Sequence, residues 1–87
     1  MHAVVVKVTI NDAEAGLSEL REVVVPQVAR APGFVTGHWT RNDNSGMSMI
    51  IFESEDAANG VSERISANAP DGVKIEDVEV REVVAHA

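Results

Sequence analysis

Along this chain of 87 residues the apolar positions change their repeat, from every second residue to every third or fourth and back again, in an order that leaves few folds open. His2 to Ile10 alternates. Val4, Val6, Val8 and Ile10 share one side and Ala3, Val5, Lys7 and Thr9 the other, which is the period of a strand. Asn11 and Asp12 then offer helix caps, and Leu17, Leu20, Val24, Val28 and Ala31 recur at helical spacing, which predicts a helix from Asp12 to Arg30. Pro26 falls inside it. Its missing N–H and its ring predict a kink near Val23 or Val24, or a break into two pieces. The valine run Val23 to Val25 weakens the helix at the same place.

Ala31-Pro32-Gly33 ends that helix, and Phe34 to Arg41 reads as a second strand, with Phe34, Thr36, His38 and Thr40 facing opposite to Val35, Gly37, Trp39 and Arg41. Asn42 to Gly46 is turn chemistry and Met47 to Glu53 a third strand, so a β-hairpin occupies the middle of the chain. Ser54 caps a second helix with Asp56 in its first turn and an apolar stripe of Ala57, Ala58, Val61 and Ile65, weakened by Gly60. Asn68 to Gly72 reads as a loop. Val73 to Ala85 is a last strand, bent where Ile75, Val78, Val80 and Val83 change faces. With no internal repeat and no linker, residues 1–87 read as one domain. The order β-α-β-β-α-β predicts an α+β fold of the split βαβ, ferredoxin-like class.

A domain this small leaves much apolar surface open to water, and without cysteine no disulfide compensates, so a partner is expected. The amino-terminal apolar run is short and contains Lys7, and it does not read as a signal peptide. No stretch approaches a transmembrane span. The expectation is a cytoplasmic protein. A formal charge of −7 opposes attraction to phosphate backbones and anionic lipid, which argues against nucleic acid and membrane as partners. The whole acidic excess lies after Arg41 and is expected to serve solubility.

The element order, the first helix ending in Ala31-Pro32-Gly33-Phe34, the hairpin centred on Asn42 to Gly46 and the long final strand together resemble the dimeric α/β-barrel superfamily. Within it the chain is most similar to small antibiotic-biosynthesis-monooxygenase-like proteins, over its full length. The resemblance implies a four-stranded antiparallel sheet with both helices on one face, the other face packed on a second subunit, and a pocket between sheet and helices. Strands apolar on both faces, as in Val4, Val5, Val6 and Val8 or Met49 to Phe52, independently favour such double burial. The family includes oxygenases that need no metal or separate cofactor, haem-degrading enzymes and isomerases. Its haem-degrading branch uses an asparagine within the first strand, a tryptophan, and a histidine near the second helix. This chain has no asparagine before Asn11 and no histidine in or beside the second helix, so haem degradation is not expected. Its polyketide oxygenases surround an acidic phenol with tryptophan, asparagine, arginine or tyrosine; here Trp39 and Arg41 are present and tyrosine is absent, and no residue is carried over as catalytic.

The candidate substrate-binding residues are His38, Trp39 and Arg41. Histidine offers a base near neutral pH and indole a stacking surface with one donor, but strand neighbours point to opposite faces, so His38 and Trp39 cannot share one small site within a subunit. The structural alternative is a core or interface tryptophan beside a solvent-linked histidine. Lys7 is expected to reach water or pair with Glu79 or Glu53, and His2 and His86 to lie in disordered ends. Glu53, Glu55 and Asp56 suit a helix start better than a metal, and Met47 and Met49 read as adaptable core filling. No cofactor is expected. The expected function is a homodimeric small-molecule-binding α/β-barrel protein that takes a planar apolar ligand, monooxygenase-like if it is an enzyme; the alternative is a non-catalytic ligand-binding or oligomerisation module.

Overall fold

In the computed structural model, which describes residues 1–68 and 72–87, the chain forms β1 (His2–Ile10), α1 (Ala13–Glu19), a π-helical segment (Leu20–Val24), α2 (Val25–Ala29), β2 (Phe34–Asn42), β3 (Ser45–Phe52), α3 (Glu55–Ala67) and β4 (Val73–Glu82). The strands make one antiparallel sheet in the order β2-β3-β1-β4. This is an α+β arrangement compatible with the ferredoxin-like class. Among the described residues no helix is long and apolar enough to cross a membrane.

The first helical arm is continuous but changes winding ahead of its proline. Val25 donates its N–H five residues back to the Leu20 carbonyl, and Pro26 then sits in the first turn of α2. The wide turn moves the preceding carbonyls away from the pyrrolidine ring, which offsets part of the cost of a proline inside a continuous helical arm. The expected disturbance at Val23 and Val24 therefore takes the form of a π turn. Upstream, the Asp12 carboxylate accepts from the Ala15 N–H at 3.1 Å and starts α1; downstream, Ser54 Oγ accepts from Ala57 at 3.2 Å and starts α3.

Gly33 and Gly72 hold the positive φ angles, 82° and 75°, that let the chain turn sharply into β2 and β4. The Gly72 carbonyl accepts the N–H groups of Asn11 and Asp12 at 2.7 and 3.1 Å, which ties the start of β4 to the turn before α1. The loop expected at Asn68 to Gly72 falls partly on Ala69, Pro70 and Asp71, which lie outside the described residues.

Sheet register decides which side chains meet the helices. Val4 faces Ile50 and Val80, Val6 faces Ser48 and Val78, and Phe52 lies opposite both His2 and Phe34, so the inward set of β1 is the even-numbered one. Phe52, Ile50 and Val4 are fully buried, and Val28, Ala58 and Val61 from α2 and α3 close over them. Phe34, expected on the face of His38, instead pairs with Phe52 on the inward side because the register of β2 shifts between Phe34 and Thr36, and it meets Phe52 edge to face with centroids 6.1 Å apart. The expected bend in β4 is a bulge. Lys7 pairs with Asp77 while Val8 pairs with Ile75, leaving Glu76 as the extra residue that brings Ile75 and Val78 to one face. β4 ends at Glu82 rather than Ala85; just beyond it the Val83 N–H donates to the carbonyl of Met1, the residue before β1, at 3.0 Å.

Candidate functional site

α3 lies over β1, β3 and β4 and α2 over β2, while α1 and the π segment span the far end of the sheet. Beneath that span lies a cavity of about 140 Å³. Its floor includes Val6, Val8, Ser48 and Ile50, and its roof Leu17, Leu20 and Val24. The π turn thus contributes two roof residues, Leu20 and Val24, consistent with the frequency of such turns beside functional sites. The walls are almost wholly aliphatic. Trp39 closes the β2 side, and Arg41 and Asn68 stand exposed at the rim.

Trp39 is held by a missing side chain. Gly37, two residues earlier on the same face, would place a Cβ 2.8 Å from the indole Cη2, so only glycine lets the ring lie back across the strand. On the opposite strand Ser48 pairs with Trp39 and Gly46 with Arg41. Thus Trp39 and Arg41 share the cavity face. His38 does not: it pairs with Met49 on the helix-free face and is exposed. Of the three candidate residues, the fold brings together two and separates the third by the thickness of the sheet.

Ser48 escaped the sequence reading. It is the buried polar side chain of the described core, 8 % exposed, and it sits in the cavity floor. The signal was present in the alternation of β3, where Ser48 shares a face with Ile50 and Phe52. A serine in an inward-facing position among large apolar residues marks a place where the wall is polar on purpose or unfilled.

Two expectations change. Met47 and Met49 are not core filling: they are 48 % and 47 % exposed on the helix-free face, because register commits Gly46, Ser48, Ile50 and Phe52 inward. His2 is not in a disordered end but in β1, half-buried, with Nε2 3.4 Å from a Glu55 carboxylate oxygen, so the helix-start acid has a histidine beside it in space that it lacks in sequence. Lys7 meets the first of its two expected outcomes: it stands exposed across from Asp77, while Glu79 pairs with Arg81 at 2.7 Å. Thr9 donates to Glu76 at 3.0 Å.

The helix-free face has an apolar centre of Ala3, Val5 and Ile51, flanked by Met47 and Met49. Polar groups surround it, with Thr36, His38 and Thr40 on β2 and Asp77, Glu79 and Arg81 on β4. No protein-family profile matches this chain, and no curated protein matches it in sequence.

Proposed function

We propose that the chain is a homodimeric small-molecule-binding protein of the ferredoxin-like, dimeric α/β-barrel type, working in the cytoplasm. The observation that carries the reading is the cavity: a largely apolar space between sheet and helical arm with polar groups at a few points is the common form of a small-molecule site. Trp39 offers a flat surface to a planar ligand, and Arg41 a charge at the rim.

The helix-free face supports the second copy. Methionines half exposed beside buried Ala3 and Val5 make an apolar patch with a polar border, which is how a contact surface is built. Two copies placed sheet to sheet would cover it on both. Sedimentation equilibrium tests this directly, with a dimer expected.

Binding without chemistry is the function the cavity supports better. Among its described lining residues Arg41 is the ionisable one, and no carboxylate or imidazole accompanies it. Oxygenation without a cofactor starts with removal of a substrate proton, which needs a base within hydrogen-bond reach, and His38 faces away. The monooxygenase-like reading rests on Trp39 and Arg41 sharing one wall. Oxygen uptake with anthrone-like and quinol substrates separates the two readings: turnover abolished in both Trp39→Ala and Arg41→Gln, the two residues on the cavity wall, supports the enzyme, and ligand-induced stabilisation with no oxygen consumed supports the binder.

A further inference from the structure

Ser48 has a hydroxyl that the fold itself does not use. None of the side-chain hydrogen bonds among the described residues involves it. Nor is its oxygen sealed in, since the sealed and unpartnered side-chain atom among those residues is His2 Nδ1. The hydroxyl therefore opens onto the cavity its residue lines. In an apolar space, such a group costs desolvation unless a bound molecule completes its hydrogen bond.

Arg41 stands one diagonal step away. Trp39 pairs with Ser48 and Arg41 with Gly46, which makes Arg41 and Ser48 diagonal neighbours on the cavity face, about 7–8 Å apart. None of the ion pairs among the described residues uses Arg41. A guanidinium at the rim of an apolar cavity matches a carboxylate through two parallel hydrogen bonds. One cation within a chain of formal charge −7 suits a single negative charge and not a phosphate ester or a dicarboxylate.

We infer that the cavity takes an apolar monocarboxylate bearing a hydroxyl or keto oxygen on its body. Arg41 holds the carboxylate at the rim, Ser48 meets the second oxygen inside, and the Trp39 ring lies against the body between them. The inference rests on the cavity being the binding site. Its selectivity follows from the cost of leaving Ser48 unpaired: a ligand without the second oxygen fills the space but strands a buried hydroxyl.

The test is an NMR titration of the isotope-labelled full chain with 6-hydroxy-2-naphthoate, 2-naphthoate and the methyl ester of the hydroxy acid. The indole N–H of Trp39, the single tryptophan, reports binding. The hydroxy acid is expected to bind at least about tenfold tighter than either analogue. Ser48→Ala should bind the two acids equally while still preferring acid to ester. Arg41→Gln, a change at an exposed residue that leaves the core intact, should lose the preference for acid over ester and keep that for the hydroxyl. Equal binding of all three compounds by the wild type, with Trp39 shifting, overturns the inference and leaves the cavity as a binding site. No shift at Trp39 with any compound overturns both.

Discussion

At Gly46 the space for a side chain is already occupied: an added Cβ would lie 2.6 Å from Val8 Cγ2, in a part of the wall that borders the cavity. Gly46→Ala is therefore expected to lower the unfolding free energy by about 1–3 kcal/mol, because the valine must leave its position or the strand must shift. Gly60 is the contrasting case. It is exposed within α3 and nothing lies within 4 Å of an added Cβ, so Gly60→Ala should raise stability by about 0.5–1 kcal/mol through helix propensity and a less flexible unfolded chain. Urea unfolding of the two variants measures both signs; stabilisation by Gly46→Ala would mean that the Val8 contact is not tight. Gly37→Ala acts on the site instead of the fold. Its methyl displaces the indole at 2.8 Å, and the fluorescence of Trp39 should move to longer wavelength as the ring leaves its apolar seat.

Among the elements, β4 depends most on a single residue. Because side chains alternate with period two, the extra residue Glu76 is what keeps Ile75 on the inward face together with Val78 and Val80. Deleting Glu76 should turn residues 73–75 over, sending Ile75 to the helix-free face and Lys74 toward the cavity. A loss of more than about 2 kcal/mol in chemical unfolding is expected, from the lost burial and the buried cation; unchanged stability would show that the bulge is dispensable. The same alternation explains what could be read in advance. β1 was legible because Val6 to Ile10 alternates apolar with polar, and the π turn announced itself through Pro26 behind three valines. The absolute facing of β3 was not legible: Met49, Ile50, Ile51 and Phe52 are apolar on both sides, so hydrophobicity alone gives no inside. Register to β1 supplies it, and with it the exposure of the methionines, the choice of Trp39 over His38 for the cavity face and the role of Ser48 in the cavity floor.

For the whole molecule, the two faces of the sheet divide the work. One closes over a cavity with the helices, and the other presents an apolar centre that the account assigns to a second copy. Met49→Lys places a charge in the middle of that face without touching the core, so the variant is expected to sediment as a folded monomer where the wild type sediments as a dimer. A wild-type monomer at high protein concentration would remove the dimer from the account but leave the cavity.

The cavity itself is tested most directly by intermolecular nuclear Overhauser contacts between the protein and an uncharged planar probe, 2-naphthol. The methyl groups of Val6, Leu20 and Ile50 border the cavity, whereas those of Met49 and Ile51 lie on the other side of the sheet. Saturable binding is expected, with contacts to the first three and to the Trp39 ring. Contacts confined to Met49 and Ile51, or no saturable binding at all, would contradict it.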